Sequence, residues 1–282
     1  MKRIRAALGI AAALFLLTVI FIRFEERAAG LNVTATTTMM RAAINDIGGE
    51  RVKVNVLIPG GSCPGHYDIR PGDIRTLKQS ALFFTHDYEG FVPRLCAATK
   101  LPESRVMRIP VSENWQLPDV YVRAAQAVAA ALSKVDAAGR SEYLQHLKAV
   151  QDKAGAVEAE IRKQAQREDF GSVAVICSEQ QAAVLRWMGF KVAAVYGRPE
   201  EFTPSGMHHL VRKGKDKKVE LVVDNLQSGP AAGRELAREL GARHLLLSNF
   251  PDGFDNTETW EKTVLENMKR IVTALGGRKD GK

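Results

Sequence analysis

From Leu31 onward, short runs of apolar and β-branched residues alternate with longer stretches whose apolar positions recur every three or four residues. The first spacing fits buried strands and the second fits amphipathic helices. Asn32–Thr37 and Val52–Ile58 read as strands, with a helix over Met39–Ile47 between them that Gly48 and Gly49 close. A short helix over Gly72–Ser80, a strand over Ala81–Thr85, a helix over Tyr88–Ala98 and a strand over Arg105–Ile109 follow. Strands separated by helices argue for a mostly parallel sheet in an α/β fold.

The pattern then changes. Pro118–Val135 and Gly139–Arg167 are rich in Ala, Glu, Gln, Lys and Arg, and Leu144, Leu147, Val150, Ala154, Val157 and Ile161 keep helical spacing through the second stretch. That stretch predicts one amphipathic helix well beyond the common length. Alternation resumes with strands over Val173–Cys177, Lys191–Tyr196, Val219–Asp224 and Arg243–Ser248. The helices between and after them cover Glu179–Met188, Pro204–Lys213, Gly229–Leu240 and Asn256–Leu275, with Gly189, Gly241 and Gly276 where helix-ending glycines belong. The fold class expected is therefore α/β: two lobes, each a mostly parallel sheet flanked by helices, joined by a long rigid helix. The lobes are expected over residues 31–135 and 169–282, with the connecting helix over 136–168.

Residues 1–30 stand outside this pattern. Lys2, Arg3 and Arg5 precede an uncharged, mostly apolar run over Ala6–Ile22, which Arg23 to Arg27 follow. A positive flank before an apolar segment marks export. The run is long for a cleaved signal peptide and slightly short for a full span, and Glu26 and Arg27 spoil the cleavage site that Ala28, Ala29 and Gly30 would offer. An uncleaved membrane anchor over residues 6–22 is favoured over a cleaved signal peptide, and no cysteine follows to carry a lipid. Either way the remainder is expected in the periplasm or on the outer face of the cytoplasmic membrane. Among 282 residues, 45% hydrophobic and 26% charged is ordinary for a soluble domain. The net charge of +8 is spread thinly; its densest run, Arg212 to Lys218, reads as a solvated surface loop, so no nucleic-acid partner is expected.

Candidate chemistry gathers at the C-terminal ends of the strands, where ligands of open α/β sheets collect. The turn after the second strand carries Cys63, His66 and Asp68, the thiol, imidazole and carboxylate that bind transition metals. His86 ends the third strand, and Cys177, Ser178 and Glu179 end the fifth. Gln116, Asn225 and Asn249 close the set with amides. If the two sheets face each other, these ends meet in one cleft. Each residue also has a plainer reading: His66 as a loop histidine bonded to backbone, His86 as a residue at a helix start, and Glu179 as a carboxylate drawn to a helix N-terminus. Cys96, His146, the exposed pair His208 and His209, and His244 are expected to be structural. In an oxidising compartment Cys63 and Cys177 are also candidates for a disulfide, which would remove both thiolates. No nucleophile elbow, phosphate loop or dinucleotide fingerprint is present, and no enzyme is expected. The rival from that class is metal-assisted hydrolysis with Asp68 or Asp87 as base.

The segment Cys63-Pro64-Gly65-His66-Tyr67-Asp68-Ile69-Arg70-Pro71-Gly72-Asp73 resembles the Asp-Pro-His-x-Tyr-Glu-x-x-Pro-x-Asp stretch of the zinc/manganese solute-binding proteins of ABC importers. The resemblance runs on through the long helix to Asp224–Ser228 and the last helix. It implies two lobes bridged by a rigid helix, little hinge motion, a metal ion between the lobes, and delivery of that metal to a membrane permease by a monomer. The usual ligand set does not carry over. Aligned on Tyr67 and Asp73, the family's first histidine falls on Gly65, its second near Gln116, its third on Ser178 and its acidic ligand near Asn249.

Three readings stay open. A metal site rebuilt from Cys63, His66, His86, Cys177 and Glu179 would take zinc first, with manganese or copper as alternatives. A non-metal solute or a metal chelate would instead be held by Gln116, Ser178 and Asn249 as hydrogen-bonding groups. In the third reading the chain has lost its ligand and serves as an anchored partner-binding module. The expectation carried forward is capture of a transition metal ion between the lobes.

Overall fold

The computed structural model describes residues 30–276; the expected anchor at 6–22 lies outside the described residues. The first sheet holds β1 (Leu31–Thr37), β2 (Val52–Ile58), β3 (Leu82–His86) and β4 (Val106–Ile109) in the order β2-β1-β3-β4. The second holds β5 (Ala174–Ser178), β6 (Lys191–Tyr196), β7 (Leu221–Asn225) and β8 (Arg243–Leu247) in the order β6-β5-β7-β8. Every pairing is parallel, from Leu31 opposite Val52 in the first sheet to Asn225 opposite Leu247 in the second. Each sheet therefore reverses its winding beside its first strand, and the crevice outside that point is where such sheets receive ligands.

Helices pack on both faces. In the first lobe these are α1 (Thr38–Gly48), α2 (Pro71–Gln79) and α3 (Val92–Thr99), followed by α4 (Pro118–Val135). Thr37 caps α1, its hydroxyl accepting the Met40 N–H at 3.1 Å, which satisfies one of the amides a helix start leaves open. α3 begins four residues later than the apolar pattern implies. Pro93 can occupy only the first turn of a helix, so residues 87–91 are left as a turn. α5 (Arg140–Arg167) is one uninterrupted helix of 28 residues. It buries Tyr143, Val150, Ala154, Val157 and Ile161 along one stripe and leaves its other faces wet.

The second lobe adds α6 (Glu179–Trp187), α7 (Pro204–Asp216), α8 (Ala231–Leu240) and α9 (Trp260–Gly276). The basic run expected as a surface loop over 212–218 is mostly the end of α7, where cations face the negative pole of the helix. α9 starts at Trp260 rather than at Asn256 because Asp252 and Asn256 take positive φ, 58° and 59°, in a turn that a helix cannot include.

One continuous hydrophobic core runs from Val33 and Ile44 through the long helix to Val175 and Ile271. At its centre Trp260 is fully buried, stacks on Tyr121 with ring centroids 4.6 Å apart, and donates its Nε1–H to Trp115 O at 2.7 Å. Tyr121 in turn donates to Asp46 at 2.7 Å, and Lys153 of α5 bridges Asp46 at 3.2 Å and Glu261 at 3.4 Å. Residues of α1, α4, α5 and α9 are thus fastened at one point, which ties the last helix of the second lobe to the first lobe. Replacing Trp260 with Ala should remove about 3–5 kcal/mol of stability, the range for a buried aromatic truncated to a cavity, whereas Trp260→Phe should cost less than half of that. Urea unfolding followed by circular dichroism checks both values.

Candidate functional site

The C-terminal edges of the two sheets face each other across a cleft of about 590 Å³. Its walls come from the turns after β2, β3 and β4 in one lobe and from the start of α6 and the turns after β6, β7 and β8 in the other. Gly60, at the start of the turn after β2, runs so close to the other lobe that a Cβ there would lie 2.1 Å from Pro251 O, and this contact requires glycine. The turn then folds through Tyr67. Its hydroxyl donates to Asp73 at 2.7 Å, while Asp73 also accepts the Arg70 N–H at 2.7 Å and Pro71 opens α2. Burial and the Asp73 carboxylate push the Tyr67 phenol up from its ordinary value, so it stays a donor. The segment 67–73 is a scaffold for the turn.

His86 sits at the reversal point of the first sheet. Its Nε2 lies 3.0 Å from the Thr37 hydroxyl, its ring stacks on Tyr88 at 5.1 Å, and Trp115 meets it edge-on at 4.6 Å. The residue is only 3% exposed, and burial without a counter-charge lowers its pKa to about 3, so the imidazole is neutral at ordinary pH. Beside it Glu89 accepts the His86 backbone N–H at 2.9 Å, and burial raises its carboxyl to about 7. His86 Nδ1 and Glu89 Oε1 are both buried without a well-formed hydrogen bond, the Thr36 hydroxyl being the side chain beside the Glu89 carboxyl, and both residues line the cleft. In most folded proteins such atoms are satisfied.

The opposite part of the cleft is built from amides. Asn249 Oδ1 accepts from Gln181 at 3.0 Å and from Asn114 at 3.2 Å. Gln181 also donates to Asn225 at 3.1 Å, and the Asn249 backbone N–H donates to Gln227 at 3.1 Å. Gln227 spans the lobes to Gly60 O at 2.6 Å, and Gln116 spans them to Asn249 O at 3.1 Å. Asn267 of α9 completes the lattice by donating to Gln116 Oε1 at 3.2 Å and to Ser248 O at 2.7 Å. Outside the cleft the lobes also touch through Thr38 donating to Pro251 O at 2.6 Å and an Arg41–Asp252 ion pair at 2.6 Å.

The five expected metal ligands do not come together. Cys63, His86 and Glu179 line the cleft, but among the described residues no group of three or more His, Cys, Asp or Glu can hold a metal ion. His66 points away to the rim, where its Nε2 lies 3.2 Å from Glu200 of the other lobe. Cys177 is fully buried in the central core, and burial pushes its thiol up to about 12. That makes it an apolar side chain and no thiolate ligand. Cys63, Cys96 and Cys177 are all free, so the possible disulfide is absent. Of the amides expected to touch a ligand, Gln116 is 1% exposed and spends its side chain on the lattice, and Ser178 is buried outside the cleft lining. Asn249 lines the cleft but commits both ends of its amide, Oδ1 as above and Nδ2 to Gln180 O at 3.3 Å. Asp68 and Asp87 are exposed and lie off the cleft lining. His146 bonds Ile47 O at 2.8 Å, His244 pairs with Asp224 at 2.6 Å, and His208 and His209 are exposed on α7.

Sequence reasoning passed over Glu89, Arg94, Trp115, Arg198 and Gln227, which all line the cleft. Glu89 stands two residues beyond Asp87, and Arg198 follows β6 directly, so the strand-end rule that selected His86 would have reached them with a slightly wider window.

Comparison with known proteins gives a consistent frame. A family model described as ZnuA, zinc-uptake complex component A periplasmic, matches residues 33–274. A metal ABC transporter substrate-binding lipoprotein, ScbA of Streptococcus cristatus, is 23% identical over 223 residues, which cover 69% of this chain and 72% of that protein. Among solved structures, the periplasmic zinc-binding protein TroA of Treponema pallidum superposes with a TM-score of 0.75 at 20% identity, covering 88% of this chain and 99% of that one. A crystal structure of ZnuA gives 0.73 at 18% identity, covering 87% and 99%. At these identities the superpositions speak for the fold.

The raised carboxyl of Glu89 has a measurable consequence. In the unfolded chain the group ionises near its ordinary 4.5, and in the folded chain near 7. Folding therefore favours the protonated form, and the stability tied to it is intact below pH 4.5 and lost as pH rises through 7. Glu89→Gln, which keeps an acceptor for the His86 N–H, should match the parent at pH 4 and exceed it at pH 8 by about 2–3 kcal/mol. Urea denaturation at both pH values tests this, and equal stability of parent and variant at pH 8 would rule it out.

Proposed function

We propose that this chain, which belongs to the family of periplasmic zinc-uptake complex component A proteins, captures a transition metal outside the cytoplasmic membrane and presents it to an ABC permease. The carrying observation is that the family match extends over residues 33–274, both lobes and the helix between them, and that the interlobe cleft lies where both sheets reverse their winding. The role is that of a transport component and involves no turnover. Zinc leads as the metal, because the family is described by zinc uptake and TroA by zinc binding.

The physical basis of capture is a preformed pocket. The helical fastening at Trp260 and the amide lattice around Asn249 hold the lobes in one relation, so cargo binding does not have to order the cleft. With the cargo in place, the joint rim of the two lobes, including the His66 and Glu200 contact, forms a surface that a permease can read. A single copy contains both walls of the cleft, so the reading requires only a monomer.

The test is cellular. Deleting the gene should lower uptake of radioactive zinc several-fold from metal-depleted medium, and the full-length chain supplied in trans should restore it. Unchanged uptake of zinc, and of manganese measured alongside, would overturn the proposal.

A further inference from the structure

The cleft is too large and too poor in metal donors for a bare ion. Its 590 Å³ lies within the range of sites for small organic ligands, and no group of three or more His, Cys, Asp or Glu among the described residues can hold a metal. Its walls instead carry groups that recognise an organic molecule with charges of both signs. Arg94 reaches it from α3 and Arg198 from the turn after β6, one from each lobe. Neither guanidinium has an ion-pair partner among the described residues, whereas Glu113 on the same wall is neutralised by Arg123 at 2.8 Å. A guanidinium lining a cleft is a fork for carboxylate oxygens.

The floor supplies the complementary half. Glu89 Oε1 and His86 Nδ1 are buried without a well-formed hydrogen bond, with the Thr36 hydroxyl beside the Glu89 carboxyl, in residues 5% and 3% exposed. His86 Nε2 is engaged by the Thr37 hydroxyl 3.0 Å away, which leaves Nδ1 as the free ring nitrogen, an acceptor when Nε2 carries the hydrogen and a donor when Thr37 donates. These two atoms call for hydrogen-bonding partners on whatever fills the cleft. Tyr88 and Trp115, which flank His86, add flat apolar surface for the body of the ligand. The neighbouring amides offer little, since Asn249 and Gln227 already spend their polar atoms on the lattice.

We propose that the cleft takes its metal as a complex with a small amino-carboxylate chelator, whose carboxylates meet Arg94 and Arg198 and whose amine meets Glu89 and His86. The chelator supplies most of the coordination shell that the protein lacks. This rests on the metal-capture reading and specifies the form in which the metal arrives.

Isothermal titration of the full-length chain in detergent tests the idea with zinc alone, with glycine, L-histidine and iminodiacetate alone, and with the zinc complex of each chelator. At least one complex should bind one-to-one and about a hundredfold more tightly than zinc or its chelator alone. Arg94→Ala and Arg198→Ala should each weaken that complex tenfold or more, and Glu89→Gln should weaken it while leaving the thermal melt at pH 5 near that of the parent. Zinc alone binding as tightly as any complex, with the arginine variants unaffected, would overturn this inference and leave metal capture standing. Binding of none of the zinc species would overturn both. A free chelator binding as tightly as its zinc complex would overturn the metal complex as the ligand.

Discussion

Two sheet edges rich in unpaired strand-end groups must meet face to face in this molecule, and neutral amides resolve the meeting. Asn249 is the hub. Its carboxamide oxygen accepts from Gln181 and Asn114, its backbone accepts from Gln116 and donates to Gln227, and Gln227 reaches Gly60 in the other lobe. Each such bond contributes only about 1 kcal/mol net, but leaving one partner buried and unpaired would cost more. The lattice is therefore held together chiefly by the penalty of breaking it. It carries no titratable group, so its strength does not vary with pH and does not depend on a metal to neutralise it. These amides occupy the positions near which the resemblance places the family's second histidine and its acidic ligand. A site that used charged ligands there would need the ion itself to offset their burial.

The lattice works because the helices behind it permit no other arrangement. α9 belongs to the second lobe by sequence, yet Trp260 stacks on Tyr121 of α4 and bonds Trp115, and Glu261 shares Lys153 with Asp46 of α1. Opening the cleft by a hinge would pull a buried indole out of an aromatic stack and strand its N–H. Cargo recognition in this architecture must therefore come from the shape and groups of a pocket that already exists. The buried polar atoms of residues lining the pocket that lack a well-formed hydrogen bond are His86 Nδ1 and Glu89 Oε1.

The alternation of strand and helix was legible because parallel strands buried on both faces leave continuous apolar runs in the sequence. The same property hid the site. In β5 every residue from Val175 to Ser178 is buried, so no period-two signal tells which side chain faces the cleft. Cys177 looked available at a strand end and proved to belong to the central core, while its neighbour Ile176 packs in a separate small cluster with Leu210, Val222 and Leu236. His66 and Glu179 were chosen for their chemistry, but exposure decided their fate. One turns outward to Glu200, and the other lines the cleft from the N-terminus of α6, where a carboxylate is favoured anyway. The lattice was half visible: Asn249 stands just past the end of β8 and Gln116 in the loop between β4 and α4, whereas Gln181 and Asn267 sit inside helices, where a glutamine or asparagine is unremarkable until its partners are known.

The turn between β2 and α2 explains why a resemblance can be sound for the fold and silent on the ligand. Tyr67, Pro71 and Asp73 match the family pattern, and all three do work internal to the turn: Tyr67 bonds Asp73, Asp73 bonds the Arg70 amide, and Pro71 starts the helix. The residues just before them, Cys63 to His66, project toward the cleft and the other lobe, and their identity has little bearing on whether the turn forms. At Gly65 the space that a side chain would enter holds the Arg198 guanidinium, whose Nη2 lies 2.6 Å from where a Cβ would stand. A histidine at that position would displace the arginine. The glycine therefore exchanges one metal ligand from the first lobe for one cation from the second, and with that exchange the preference of the cleft moves from a bare cation toward something that brings its own carboxylates.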